Sequence, residues 1–558
     1  MMTVIFHSYS SITSPLLFAA IFVLWMKYKS SPSDLLFKIL IISLFLLFLF
    51  HILLYNTDAE DAYISFRYAR KLVSGKGLVF NNSEYVEGYS NFLWIIILAC
   101  LNFITTVDIP VLGRILSLFF SYLTVLLGFV IITRLTAAKI SKLYIVLLIS
   151  SSGVFACYGL AGLETPLYSF LLLMSCLLLF KSKWFLCGVM ISLAAMTRPE
   201  GYLLVFSSII YVVYAKRKSS LIEKLHSILW IMIGMFVIAI PWNLWRLFYY
   251  GYFLPNTLAA KSGMGLTKQI LDGIQYFNGF ITVSSPILVL MLFILARILL
   301  DRKKKIWIFN SYNTFFTSTI LIFSLFYIVV GGDWMPAWRF FAPLIPIITV
   351  FTVYLWFKYP PIKSYVNAKF VIPSIFLICG YLMMLNSFTN SNMLAAERSW
   401  RTSVQQLKIL GKWFSSALPT NIVVVAYANG VFSYYFDNRI IDPWGLTDEH
   451  IARHGNKYKN GVSGHISYDY DYILKQKPDI ILFTQGIGLT DRPVLWPEID
   501  SSASENYTNV TFVYGKPVTA NNKYASFYIR NSEKDFIIEK LLKANDNFKL
   551  LSVNEIKY

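Results

Sequence analysis

The sequence predicts a polytopic α-helical membrane protein with a C-terminal soluble α/β domain, and three observations predict it. Of 558 residues, 56% are hydrophobic and 14% charged, against about a quarter charged in an ordinary soluble domain. Apolar runs at 37–55, 111–133, 228–247 and 370–385 approach or exceed the roughly 17 to 25 residues that cross a bilayer. Beyond about Ser387 those runs stop and the alternation typical of strands begins. The expected division is residues 1–387 as the transmembrane domain and 388–558 as the α/β domain.

Charge orients the spans. The net charge of +19 is carried largely by short loops between apolar runs: Lys27/Lys29/Lys38, Arg134/Lys139/Lys142, Lys181/Lys183, Lys216 to Lys224, Arg302 to Lys305, and Lys358/Lys363/Lys369. That distribution argues against nucleic acid as a partner and for cytoplasmic loops by the positive-inside rule. The loops between them are rich in acids, Asn and aromatics and face outward, the first of them over 56–110. Residues 91–106 are apolar, but a crossing there would reverse every later loop. A helix of that length is also short at about 1.5 Å per residue against a core of about 30 Å. It is therefore expected to lie flat as a juxtamembrane helix, leaving about twelve crossings with both termini outside. The N-terminal MMTVIFHSYSSITSPLLF has no basic leader and no cleavage signal, and is read as a retained first span. Cys100, Cys157, Cys176, Cys187 and Cys379 are scattered singly through apolar segments, which fits packing rather than a disulfide framework or a zinc site.

In the outer domain, 397–418 reads as an amphipathic helix. NIVVVAYANG and PDIILFTQG read as buried strands running into turns, VTFVYGK and YASFYIR as further strands, and EKDFIIEKLLKA as a helix covering an edge. About 170 residues is a single-domain size.

The polar chemistry gathers at the outer ends of the spans. EDAYISFRYARKL places Glu60, Asp61, Tyr63 and Arg67 just past the 37–55 run, where Asp58 also lies. A carboxylate at a wet membrane rim can act as general base toward a hydroxyl, although solvated helix-end acids are equally expected there. The following segment, GKGLVFNNSEYVEGYSNFLW, adds Glu84 and Glu87, with Tyr89 and Trp94 read as interfacial anchors. Four more outward motifs join it: GLETPL with Glu164, TRPEGY with Arg198 and Glu200, RLFYYGYFLPNTLAAK with Arg246, Asn256 and Lys261, and GGDWMPAWRFF with Asp333, Trp334 and Arg339. Arg198 and Glu200 could simply pair with each other. Arg246, Lys261 and Arg339 suit a phosphate, because guanidinium forks match phosphate oxygens. No Walker A loop, HExxH, GxSxG or Rossmann fingerprint occurs in a suitable context, which argues against nucleotide-driven chemistry.

The block EDAYISFRYARKLVSGKGLVFNNSEYVEGYSNFLW resembles the signature "DDAYISFRYA…GxGLVFNPGExVEGYTNxLW" of GT-C membrane glycosyltransferases related to mycobacterial terminal β-(1→2)-arabinofuranosyltransferase. The resemblance continues through GLETPL, TRPEG, LPNTLAAK, GGDWMPAWRFF and IIDPWGLTDEHIARHG. It implies a GT-C fold and an inverting enzyme. Such an enzyme takes a sugar, such as the pentofuranose arabinose, from a polyprenyl-phosphate donor and passes it to a hydroxyl of a glycan or glycolipid acceptor outside the lipid bilayer of the inner membrane. It implies Asp61 as base beside Glu60, which replaces the first Asp of the signature. Arg67, Arg198, Arg246, Lys261 and Arg339 are the cations available for the donor phosphate. Tyr63, Glu84, Glu87, Glu164, Glu200, Asn256, Asp333, Trp334, Asp448 and His450 are the candidate substrate contacts, the last two within a segment (Asp442 to Arg453) that resembles the family's and would contact the acceptor. Asn82 and Ser83 stand where the signature has Pro and Gly. No cofactor or metal site is read, and a divalent cation is left open. The rival readings are a flippase of lipid-linked sugars, which would place ionisable groups at the bilayer midplane in broken helices, and a GT-C transferase acting on lipid A or on protein.

Overall fold

The computed structural model describes residues 2–56, 58–300, 310–360, 368–462, 465–482, 489–490, 506–516 and 523–554. The chain folds into two compact units: residues 1–56, 114–243 and 267–397 form one, and 57–113, 244–266 and 398–558 the other. The division differs from the one expected. The boundary falls inside the helix Ser391–Ala417 rather than at 388, and the first loop, 57–113, belongs to the unit of the α/β domain.

The first unit is helical. Among the described residues, five helices are long and apolar enough to cross a membrane: Asp34–Leu54, Ile109–Leu135, Leu221–Tyr250, Ser311–Val329 and Val371–Thr389. A sixth span results if Leu266–Val283 and Ser285–Leu300, which meet at 85°, are one broken crossing. Several other apolar helices, among them Ser141–Ser151 and Leu344–Lys358, are too short to reach across about 30 Å alone. Among the described residues, therefore, fewer helices than the expected twelve meet the length for a crossing. Leu344–Lys358 is buried on every side from Leu344 to Trp356, as is Ser141–Ser151 against it, the pattern of a helix enclosed by helices. His51 bridges its neighbours, with Nδ1 2.9 Å from Ser150 O and Nε2 2.8 Å from Ser387 Oγ. Where Trp184–Thr197 crosses Leu221–Tyr250, a Cβ on Gly188 would lie 2.0 Å from Ile231 O, and one on Gly234 2.0 Å from Phe185 O. Only glycine permits that backbone contact. Four cysteines are buried, whereas Cys100 is exposed and so is not a packing residue.

The second unit is built on a mixed six-stranded sheet. Its strands are β1 (Val424–Ala426), β2 (Ile440–Ile441), β5 (Ile480–Leu482), β6 (Tyr507–Tyr514), β7 (Tyr524–Arg530) and β8 (Phe548–Asn554), in the order β2-β1-β5-β7-β6-β8. The hairpin of β3 (Asn456–Val462) and β4 (His465–Tyr468) stands apart. β1 pairs in parallel with β2 and β5, and the remaining neighbours are antiparallel. The short parallel strands are buried throughout, as strands covered on both faces must be. On one face Trp413 and Phe414, from the amphipathic helix Ser391–Ala417, pack on Phe512, Phe527 and Phe548, and Trp413 Nε1 donates to Leu541 O of helix Lys534–Ala544. On the other face Val425, Ile441, Ile481, Tyr507 and Tyr528 meet Ile451 and Ile473. Phe527 and Tyr528 divide between the faces because strand side chains alternate.

Against this sheet lies the first loop. Helix Ala62–Val73 packs on the 14-residue helix Phe92–Thr105, the segment expected to lie flat, which at about 1.5 Å per residue is only about 21 Å long. Tyr89 and Trp94 are buried here, not presented as interfacial anchors.

Candidate active site

Parallel pairing brings the carboxyl ends of β1 and β2 to the same edge, where the loops 427–430 and 442–448 follow. Carboxyl ends of parallel strands are the usual place for a ligand crevice. Asp442, wholly buried, accepts from the amides of Trp444 and Thr447, and Asn429 Nδ2 donates to Thr447 Oγ1, which locks the two loops together. Burial raises the Asp442 carboxyl to about 6, opposed by those amide bonds.

The loop after β1 receives Glu60. Its Oε1 accepts from Gly430 N (2.6 Å) and Val431 N (3.1 Å). A Cβ on Gly430 would stand 2.2 Å from Glu60 O and 2.7 Å from Oε1, so glycine is what lets the Glu60 segment reach the loop after β1. Burial first, and then the neighbouring Asp61, push the Glu60 carboxyl up to about 8, with the two amides pulling the other way. Asp58 accepts from Tyr63 Oη at 2.9 Å. Asp61 is half-buried at the N-terminus of helix Ala62–Val73 and makes no capping bond to it. The helix terminus favours a negative charge there. Of the three acids, Asp58 is committed to Tyr63 and Glu60 to the sheet loop, while Asp61 sits at the start of a helix anchored from behind.

Arg67 is that anchor, and its expected phosphate role is corrected. Its Nε donates to Phe80 O, Nη1 to Ser433 O and Phe436 O, and Nη2 to Asn81 Oδ1 and Asn438 O. All five guanidinium N–H groups are thereby used, the residue is fully buried, and its plane lies 4.4 Å above Phe80. No donor is left for a phosphate. Asn81 completes the joint, its amide exchanging hydrogen bonds with the backbone of Ile440.

Other candidates in this unit are distributed as follows. Glu84 accepts from Arg439 Nε at 2.6 Å and from Asn81 Nδ2 at 2.8 Å. Glu87 and Arg246 form a buried forked pair, with Nε–Oε1 at 2.9 Å and Nη2–Oε2 at 2.9 Å. Asn256 Nδ2 donates to Gly445, Leu446 and Asp448 carbonyls. Lys261 is exposed at the end of helix Asn256–Lys261. Asp448 caps the helix Glu449–Arg453 through Ile451 N, and His450 Nε2 lies 2.9 Å from Asp469 Oδ2.

The remaining candidates meet in the first unit. Arg198 donates through Nε to Glu200 (2.6 Å) and through Nη1 to Glu164 (3.0 Å), and Arg339 Nε donates to Asp333 at 2.6 Å. The two guanidiniums share the Phe340 ring, at 4.9 and 5.8 Å from its centroid. Three motifs distant in sequence thus converge, and the Arg198–Glu200 pair gains Glu164 as a second partner. Trp334 is 39% exposed beside them in sequence. In the same loop Ala337 (φ 60°) and Trp338 (φ 51°) hold left-handed backbone, a conformation costing about 1 to 2 kcal/mol per residue. Ala337 N is held by Asn392 Oδ1 at 2.7 Å. Among the described residues no three His, Cys, Asp or Glu side chains are grouped to hold a metal ion.

Sequence reasoning missed Asn429 and Gly430. The AYANG turn after β1 was visible, but nothing in it announced a carboxylate from a loop some 370 residues earlier.

Two solved structures share this fold. ArnT from Cupriavidus metallidurans bound to undecaprenyl phosphate superposes with a TM-score of 0.57 at 9% identity, covering 89% of this chain and 98% of ArnT. The apo form of the same protein gives 0.56 at 9%, covering 88% and 97%. The likeness is one of fold. A family model described as a domain of unknown function (DUF8728) matches residues 396–528. No curated protein matches.

Proposed function

We propose that this protein is a GT-C glycosyltransferase that moves a sugar from a polyprenyl-phosphate carrier to a hydroxyl of a cell-envelope glycan or glycolipid, on the outer face of the inner membrane. The observation that carries the reading is Asp61. It is a half-buried carboxylate at a helix N-terminus, braced by Arg67 behind it and Glu60 beside it, in a chain with the ArnT fold. That an ArnT structure holds undecaprenyl phosphate supports a polyprenyl carrier here, and the sequence resemblance supports a pentofuranose such as arabinose as the sugar.

In the proposed step Asp61 accepts the proton of the acceptor hydroxyl as its oxygen attacks the anomeric carbon. The bond from that carbon to the phosphate oxygen breaks, polyprenyl phosphate leaves with the electron pair, and the anomeric centre inverts. Arg198, Arg246, Arg339 and Lys261 remain the proposed cations for the leaving phosphate. Each of the three arginines is held by a carboxylate, and donors fixed in advance are what such charge development needs.

The test is Asp61→Asn assayed with purified lipid-linked sugars in detergent. A general base contributes about 100- to 10,000-fold, so transfer should fall by at least about 100-fold while the melting temperature holds. Undiminished transfer would remove Asp61 from this role. Product formed by the parent protein in detergent, where no second compartment exists, excludes a flippase.

A further inference from the structure

The loop that carries Arg339 is strained, and the strain is imposed from outside it. Ala337 and Trp338 both hold left-handed backbone, with φ of 60° and 51°, a conformation disfavoured for any residue with a Cβ and most of all for a bulky one. Glycine takes it freely, as Gly331 (φ 86°) and Gly332 (φ 73°) do a few residues earlier. Strain of this kind persists only where the surroundings over-determine it, and it gathers at functional sites. Here three side chains from distant segments tie down the backbone at and around the strained pair. Tyr158 Oη donates to Pro336 O at 2.6 Å, Asn392 Oδ1 accepts from Ala337 N at 2.7 Å, and Tyr276 Oη accepts from Phe340 N at 3.2 Å. Two glycines let the partners close in: a Cβ on Gly279 would lie 2.7 Å from Trp338 Nε1, and one on Gly332 2.5 Å from Tyr276 Cγ.

What the strained pair sets is the direction of the next two side chains. Arg339 leaves the backbone there towards Asp333 Oδ2, and the Phe340 ring comes to lie against the guanidiniums of both Arg339 and Arg198. With right-handed angles at 337 and 338 the chain would turn the other way before Arg339, and both contacts would be lost. A corner needed only for packing would be met by glycine at these two positions, as it is at Gly331 and Gly332. We propose that Tyr158, Tyr276 and Asn392 are positioning residues, which hold the turn 336–340 in its strained form so that the Arg339 guanidinium stands ready for the charge developing on the phosphate of a polyprenyl-phosphate donor. The proposal deepens the transferase reading, on which it rests, by assigning to each of the three a role exercised through Arg339.

The experiment compares the full-length parent with Tyr276→Phe, which keeps the ring stacked on Phe341, and with Asn392→Ala, at an exposed position. Transfer from purified polyprenyl-phosphate-linked sugars is measured in detergent, and amide hydrogen exchange over residues 334–341 is followed in parallel. Exchange in that segment should quicken about fivefold or more in each variant, as expected for one lost hydrogen bond. In each, kcat should fall about 5- to 100-fold with the donor KM within about twofold, because a displaced cation fails the transition state more than the ground state. In an Arg339→Gln background, which already lacks the guanidinium, Tyr276→Phe should lower kcat by less than about twofold further, whereas a merely structural tie would take the same factor from both backgrounds. Unchanged exchange, parental kcat in a loosened loop, parental transfer by Arg339→Gln, or equal factors in the two backgrounds would each overturn the positioning role and leave the transferase reading in place. A parent protein that transfers no sugar would overturn that reading, and the positioning role with it.

Discussion

Replacing Arg67 with lysine separates a structural clamp from a phosphate site. The guanidinium serves five acceptors, four of them backbone carbonyls at Phe80, Ser433, Phe436 and Asn438. An ammonium has three donors on a single nitrogen and cannot span them, so at least two buried carbonyls lose their partner. An unsatisfied buried group costs about 1 to 3 kcal/mol. Two or more, with the charge retained, place the loss at roughly 3 to 5 kcal/mol. In a unit of this size each kcal/mol moves the melting temperature by about 2 to 4 °C, so a fall of roughly 6 to 20 °C is expected. The assay is thermal unfolding followed by tryptophan fluorescence, since Trp413 and Trp444 report on the sheet and its loops. If Arg67→Lys melted with the parent and instead bound the lipid-phosphate donor more weakly, the clamp would be wrong and the phosphate role restored.

Other outcomes follow from the same contacts. Because the folded-state pKa of Glu60 is raised from 4.5 to about 8, the folded protein keeps a proton that the unfolded chain releases over that window, and stability falls as pH rises through it. The melting temperature should therefore drop more between about pH 6 and pH 9 in the parent than in Glu60→Gln, and parallel curves would refute the shift. Gly430→Ala forces a methyl against the Glu60 backbone and should cost about 1 to 3 kcal/mol by the same unfolding measurement. Glu87→Ala leaves Arg246 buried without its carboxylate and should cost about 3 to 5 kcal/mol, while Lys268→Ala, in a partly exposed i,i+4 pair, should cost under about 1 kcal/mol. In a Cys100→Ser background, Ser83→Cys, on an exposed turn, should react with an impermeant thiol reagent added from outside. Labelling from the cytoplasmic side alone would reverse the proposed orientation.

The local structure was legible because it obeys periodicity. YASFYIR is β7 from its first residue to its last, the helix ending at Ala544 lies where its pattern places it, and the amphipathic helix expected over 397–418 starts six residues earlier, as Ser391–Ala417. The convergence of GLETPL, TRPEGY and GGDWMPAWRFF was legible as a grouping of outer motifs, though not as guanidiniums sharing Phe340. What the pattern could not carry was partnership. An arginine in a helix looks the same whether it awaits a phosphate or closes on carbonyls hundreds of residues away, so Arg67 was misread. Tyr89 and Trp94 fit the composition of interfacial anchors, yet packing against Tyr250 and within the loop buries them. The two compact units divide the chain differently from its composition, because compactness follows the contacts that the first loop makes with residues far downstream.

Those contacts impose an order on assembly. The residues that seat Glu60 and Arg67 lie about 370 positions downstream, and at a synthesis rate of about 5 to 20 residues per second the first loop waits roughly 20 to 70 s before they exist. During that interval the acids precede their support, with helix Ala62–Val73 lacking the carbonyls that occupy its arginine. The chain cannot assemble this unit from its beginning onward. The last part made completes the first, so a truncated or stalled product carries the acidic loop but not the structure that holds it.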